Sequence, residues 1–282
     1  MTNIPAVYQG ELNTLDKIKV SPLSRAYTFS DSIYEVIPYF SGKPLCFKEH
    51  FDRMIQSSNL MGLNVNFESV TDDIKELAAT LINQDGYVYY QISRGVDVVR
   101  SHIYQDDLEV ERFGYAMQAS YPSYAISAML CDDDRWGKCN IKSTSLLSNV
   151  LAMNKAKLLG CQEVVMHRDG FMTEAGASNV FYFDSTGSVR TSSLSENILP
   201  GITRSILIKA LKDTPYSVKE GGCAISDFND SPCIWLTSST KGILPLSTLI
   251  GTEYKFEEKY HGYLEISDLF NSAMQSHLAA SE

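Results

Sequence analysis

Apolar and polar positions change period several times along the chain, and each change marks an element. Residues 7–10 and 11–17 read as a small hairpin. A stronger strand runs over 33–40, and Ser41-Gly42-Lys43-Pro44 turns it into a second short strand at 45–48. From residue 49 to 61 the apolar side chains Phe51, Met54, Ile55 and Met61 fall at helical spacing. Thr71 is a suitable N-cap for a second helix, because Asp72 and Asp73 would sit favourably in its first turn. The buried face of that helix would be Ile74, Leu77, Ala78, Leu81 and Ile82. Strands follow at 87–93 and 112–120.

Tyr121-Pro122-Ser123-Tyr124 is the best candidate for a domain boundary, giving domains at 1–120 and 121–282. Beyond it, Leu147, Val150, Leu151 and Leu158 share one face of a helix that Gly160 would stop. Strands are expected at 163–167 and 179–183, with Asp169-Gly170 as a turn and Thr173-Glu174-Ala175 between them. Asp184-Ser185-Thr186-Gly187 turns into a strand at 188–191. Leu199-Pro200-Gly201-Ile202-Thr203 opens a helix that runs through Leu211. A strand at 234–238 ends in Ser-Ser-Thr, and 263–277 is a closing helix. No internal repeat or low-complexity segment interrupts this alternation.

Composition narrows the class. A length of 282 residues accommodates two domains with separate cores, and 44% apolar with 21% charged residues is the balance of a soluble globular protein. A net charge of −10 argues against a nucleic-acid or anionic-membrane partner, since both need basic surface. The six cysteines form no C-x-x-C pair and no cluster with histidine, so reduced thiols and no metal are expected. No signal peptide or membrane-spanning run is visible, and a cytoplasmic protein is expected.

The stretch 139–183 carries the chemistry. Lys142 stands just ahead of the leucine-rich helix and Glu174 on the hairpin that follows. A lysine that can lose its proton forms Schiff bases, and a carboxylate can hold a pyridine nitrogen protonated. At Gly201-Ile202-Thr203 a helix begins, where free amides and a hydroxyl suit an anion. The sequence I-K-S-T-S-L-L-S-N-V-L-A, then G-C-Q-E, then D-G-F-M-T-E-A-G-A-S-N-V-F resembles the signature of the fold-type IV pyridoxal-phosphate enzymes. That family holds D-amino acid and branched-chain aminotransferases and aminodeoxychorismate lyases. The resemblance implies a two-domain α/β (α+β) protein with an N-terminal α/β sandwich and a C-terminal pseudo-barrel, and pyridoxal 5'-phosphate held between them. It implies that Lys142 carries the cofactor as a Schiff base and that Glu174 takes the ring nitrogen. Phosphate contacts would come from Arg53, from the turn Leu199, Gly201, Ile202 and Thr203, and from Ser239 and Thr240. An arginine suits that task because its fork contacts phosphate bidentately.

Substrate choice is expected from the first domain. Tyr34 lies on a strand whose alternate residues would face the pocket. Arg100-Ser101-His102 follows a strand and Gly95, and this R-x-H resembles the carboxylate trap that D-amino acid aminotransferases supply from the neighbouring subunit. Arg135-Trp136 also matches that branch. The expectation is transamination between a D-amino acid and a 2-oxo acid by a homodimer. Rivals on the same fold are a branched-chain aminotransferase, an (R)-selective amine transaminase and a 4-amino-4-deoxychorismate lyase; a non-enzymatic cofactor-binding protein is a further one.

Overall fold

The computed structural model describes residues 3–280 and comprises two compact units. One is built from the chain up to Ser120 together with Ile141–Ser145, the other from Tyr121–Asn140 and Leu146–Ala279.

The first unit contains β1 (Pro5–Tyr8), β2 (Glu11–Thr14), a short helix α1 (Arg25–Phe29), β3 (Ser32–Phe40), β4 (Lys43–Pro44), α2 (Phe47–Met61), α3 (Phe67–Ala79), β5 (Gly86–Ser93) and β6 (Glu111–Gln118). Its six strands form one antiparallel sheet in the order β2-β1-β6-β5-β3-β4. Because strand side chains alternate, each strand divides its residues between two faces. One face joins Ile33, Ile37, Val88, Tyr90 and Ile92 to Met54 of α2 and to Ile74 and Leu77 of α3 in a closed core. The other presents half-buried aromatic rings. Tyr34 stacks on Tyr89 at 5.6 Å between centroids, and Tyr89 on Tyr115 at 5.0 Å.

Three local expectations are corrected here. Residues 45–48 do not continue as a strand: β4 ends at Pro44, and α2 starts at Phe47 behind Cys46, whose backbone is left-handed. The second helix begins at Phe67 rather than after Thr71. Asn66 caps it, its side-chain oxygen accepting from Glu68 N at 3.0 Å, while the Thr71 hydroxyl donates to Phe67 O at 2.8 Å. Ile82 lies beyond the helix and is exposed.

The second unit contains β7 (Ile126–Asp132), α4 (Leu147–Leu158), β8 (Glu163–Arg168), β9 (Phe171–Ala175), β10 (Asn179–Phe183), β11 (Val189–Thr191), α5 (Ile202–Leu211), β12 (Lys219–Glu220), β13 (Ile234–Ser238), β14 (Gly242–Ile250) and α6 (His261–Ala279). Its eight strands form a mixed sheet, β12-β11-β10-β13-β14-β7-β8-β9, curled into a half-barrel. The β7–β8, β7–β14 and β11–β12 pairs are parallel. Apolar side chains of the central strands, among them Val165, Val180, Leu236 and Leu246, are fully buried together. Phe181, Phe183 and Trp235 pack as stacked and tilted rings beside Tyr263 of α6.

Strands β7, β9, β12 and β14 depart from the sequence expectation: residues 173–175, expected between two strands, lie in β9, which pairs antiparallel with β8, and sheet pairing decides all four. The apolar stripe of α4 is a second surprise. Leu147, Val150, Leu151 and Leu158 do share a side, but all four are exposed, whereas Asn149 and Ala156 are buried. All six cysteines are free thiols. No helix among the described residues is long and apolar enough to cross a membrane.

Candidate active site

In the first unit, the backbone around Lys142 is tied to β3. Ile33 and Ser143 form an antiparallel bridge, Tyr34 N donates to Lys142 O at 2.9 Å, and Lys142 N donates to Ser57 Oγ at 3.2 Å. This pairing lays the half-buried lysine along the aromatic face of the sheet. Its Nζ stands 4.3 Å from the centre of the Tyr34 ring, a cation–π contact that fixes where the amine points.

The next residue of β3, Glu35, faces the opposite way and is fully buried. It accepts from Arg53 Nε at 2.7 Å, from Arg53 Nη2 at 2.8 Å and pairs with His50 Nδ1 at 2.8 Å. Burial alone would raise the Glu35 carboxyl, but the Arg53 charge and these hydrogen bonds hold it well below the usual carboxylate range. Burial also lowers His50 against the pull of Glu35. The guanidinium expected at the phosphate is therefore oriented by a carboxylate on one edge.

The R-x-H segment is anchored through aromatic and ionic contacts. The Arg100 guanidinium lies 4.6 Å from the centre of the Phe29 ring, and the His102 ring is 5.2 Å from the same ring. Arg25, only 3% exposed, also stands 4.6 Å from Phe29. It donates to Asp31 at 2.9 Å and to Ser101 O at 2.7 Å, between the two expected trap residues. Arg94 donates to Asp31 and covers Tyr104 at 4.0 Å. Gly95 has φ +126°, and a Cβ there would collide with Glu109 O, so this turn requires glycine. Arg100 and His102 themselves remain exposed.

In the second unit, β9 carries Glu174 inward. One carboxylate oxygen accepts from Arg135 Nη1; the other accepts from Asn179 Nδ2 and Leu199 N, each at 3.1 Å. Burial pushes the carboxyl up to about 7, opposed by the Arg135 charge and by its hydrogen bonds from Arg135 and Leu199. Asn179 also donates to Leu199 O at 3.0 Å, so the carboxylate and the turn that opens α5 are held by one side chain.

That turn suits an anion. Gly201 is the N-cap of α5, no side chain caps the first turn, and Thr203 is buried just inside it. A Cβ on residue 201 would collide with Asn179 Oδ1, so only glycine fits. In the same unit, β13 ends at Ser238 and is followed by Ser239 and Thr240. The buried hydroxyls of Thr237 and Ser238 have no hydrogen-bond partner among the described residues. Buried hydroxyls seldom stay unpaired, and because successive strand residues face opposite sides, a phosphate bound at the end of β13 would match one of the two. Lys241, directly after, is committed elsewhere: its Nζ donates to the buried Glu163 at 2.6 Å. These features fit pyridoxal phosphate: a carboxylate for a ring nitrogen, a lysine with a placed amine, and uncapped donors for a phosphate.

The structure thus brings Tyr34, Lys142 and the Glu35-held Arg53 into one unit with the Arg100–His102 loop. Glu174, Leu199, Gly201, Ile202, Thr203, Ser239 and Thr240 belong to the other. Glu35, His50, Asp133 and Asn179 are supporting residues to which the sequence motifs assign no role. Glu35 does carry a signal, since a carboxylate at a core register position, between Ile33 and Ile37, needs a buried cation, and His50 and Arg53 stand one helical turn apart.

Comparison with known proteins agrees with this geometry. Residues 32–249 match the family described as amino-transferase class IV. A D-alanine aminotransferase of Listeria monocytogenes is 32% identical over 239 residues, covering 81% of this chain and 82% of the relative. The fold is similar to that of a branched-chain amino acid aminotransferase from Escherichia coli, with TM-score 0.84 and 19% identity over 96% of this chain and 94% of the other. It is also similar to the PLP-bound form of a hypothetical aminotransferase from Mycobacterium tuberculosis, with TM-score 0.83 and 18% identity over 96% and 99%. Family signature, curled second sheet and placed lysine and carboxylate converge: this chain belongs to the class IV, fold-type IV aminotransferases, enzymes that work with pyridoxal phosphate.

Proposed function

We propose that this enzyme uses pyridoxal 5'-phosphate to transaminate a D-amino acid with a 2-oxo acid. The observation that carries the reading is the pair Arg100 and His102, both packed on Phe29, on a loop pinned through Ser101 by the buried Arg25. A cation fixed in this way gains from a substrate with an α-carboxylate and not from a simple amine. The 32% identity to a D-alanine aminotransferase supports the same choice.

Bound pyridoxal phosphate supplies an electron sink for the charge left when the substrate loses its Cα proton. Lys142 would hold the cofactor covalently between turnovers, and its Nζ, once released, would take the substrate's Cα proton. The Tyr34 ring keeps that amine in place. Glu174 accepts the ring N–H. Arg53, the first-turn amides of α5 and the hydroxyls of Thr203, Ser239 and Thr240 bind the phosphate. Arg100 and His102 bind the substrate carboxylate, and Tyr34 borders its side chain.

A homodimer belongs to this proposal. The leucine stripe of α4 and Val98, Val99 and Ile103 flanking the trap are exposed apolar side chains, the kind of surface that marks an interface where it is contiguous. A second copy would cover them. One observation favours a second reading, a branched-chain aminotransferase: the row Tyr34–Tyr89–Tyr115 beside Lys142 suits an aliphatic side chain.

The test is the half-reaction of the purified yellow enzyme with D-alanine, D-glutamate, L-leucine and (R)-1-phenylethylamine, followed by cofactor absorbance. Conversion by the D-amino acids, with L-leucine and the amine slow, is the expected result. Faster conversion by L-leucine would install the second reading. Pyruvate release from aminodeoxychorismate would instead identify a lyase.

A further inference from the structure

Beneath Glu174 lies a buried chain of alternating charges. The Arg135 guanidinium is 6% exposed and forks onto Asp133, with Nε to Oδ1 at 2.9 Å and Nη2 to Oδ2 at 2.9 Å. Nη2 also donates to Asn197 O at 3.0 Å, which leaves Nη1 for Glu174. Asp133 is fixed in turn by the Thr173 hydroxyl at 2.8 Å and by Arg168, whose Nε is 3.3 Å away. Arg168 closes the network onto Asn197 Oδ1 at 2.7 Å and Arg135 O at 2.9 Å. The other titratable group facing Glu174 is the buried Cys139 thiol, which burial keeps neutral.

We propose that Arg135 is a positioning residue that keeps Glu174 ionised and thereby leaves the shared proton on the cofactor's ring nitrogen. The inference rests on the proposed placing of the ring nitrogen at Glu174. Two bases then compete for one proton in a buried site. Burial favours the neutral pair, a carboxylic acid beside an unprotonated ring. A guanidinium touching the carboxylate is closer to that base than to the ring nitrogen, so it lowers the carboxylate's proton affinity more. The proton leaves the carboxyl oxygen and bonds to the ring nitrogen, with no other bond made or broken. Asp133 would cancel much of the Arg135 charge if it stood alone, and Arg168 offsets it. Burial raises the Glu174 carboxyl even with Arg135 beside it.

The test reads the ring nitrogen itself. Holoenzyme is reconstituted with pyridoxal phosphate labelled with 15N at the ring, and its 15N resonance is recorded at pH 8. Wild type and Arg135→Lys should show the protonated resonance. Arg135→Met should move to the unprotonated position and slow the half-reaction at least tenfold, with circular dichroism unchanged. A protonated resonance in folded, cofactor-loaded Arg135→Met overturns the inference. If Arg135→Met loses the cofactor, Arg168→Gln replaces it: Asp133 then draws on Arg135 alone, and a partial shift is expected, an unshifted resonance being the contrary result. Glu174→Gln separates the two levels. If its resonance matches wild type, Glu174 is not the ring partner and the site reading fails; if Glu174→Gln shifts and Arg135→Met does not, this inference alone fails.

Discussion

Glu174 should make the stability of the cofactor-free enzyme depend on pH, and Glu174→Gln should remove that dependence. The residue is 5% exposed, and burial raises its carboxyl to about 7 from an ordinary 4.5. A carboxyl whose folded pKa exceeds its unfolded value binds its proton more tightly in the folded state. Its stabilisation is complete below the unfolded pKa and is lost as pH rises through the folded one. A difference of about 2.5 pKa units corresponds to roughly 3.4 kcal/mol, of which about 2.5 kcal/mol falls between pH 5 and pH 8. Glutamine occupies the same volume and cannot titrate. It does turn one amide group toward a donor, either Arg135 or the Asn179 and Leu199 pair, which costs about 1–3 kcal/mol at every pH. The variant is therefore offset from wild type by an amount that shrinks as pH rises. Urea unfolding of both cofactor-free proteins at half-unit steps from pH 5 to pH 8.5 measures the difference, and histidines common to both cancel. Parallel stability curves would show that Glu174 does not titrate in this window and would refute the reasoning.

Glu35→Ala should cost about 3–5 kcal/mol in urea unfolding, because it strands the buried Arg53 charge without its carboxylate; a loss below 1 kcal/mol would contradict the pairing. Arg100→Ala should lower kcat/KM for D-amino acids roughly ten- to a hundredfold, the worth of one charged hydrogen bond at about 1.5–3 kcal/mol, with little effect on (R)-1-phenylethylamine. If the trap crosses to a second copy, mixing weakened Arg100→Ala with inactive Lys142→Ala chains should raise D-amino acid activity above that of Arg100→Ala alone. Leu151→Glu, at the exposed stripe of α4, should shift the enzyme toward monomer in light scattering; an unchanged mass would place the dimer contact elsewhere.

Much of this architecture was legible in the chain because local signals and tertiary packing agree there. Residues 33–40, 163–167, 179–183 and 234–238 are strands whose apolar side chains also find a core, and Gly201 is required by a neighbour as well as by a helix start. The misreadings arise where tertiary context decides. Thr71 carries a capping hydroxyl, but Asn66 lies one turn earlier and its short amide reaches two amides of the first turn. Leucines at helical spacing on α4 announce an apolar face without saying what covers it, and among the described residues nothing does. In the candidate site, the motif residues could be read individually, whereas their supports could not. Arg135 meets Glu174, and Arg168 meets Arg135, only after segments far apart in sequence have come together.

Lys142 as the lysine that carries the cofactor is the central claim, and chemical trapping tests it most directly. Borohydride reduction of the yellow enzyme fixes the cofactor to whichever amine holds it, and peptide mapping locates the mark. The account predicts a single pyridoxyl group on Lys142, the lysine bridged to β3 beneath the Tyr34 ring. A label on Lys138 or Lys155 instead, with Lys142 unmodified, would contradict it.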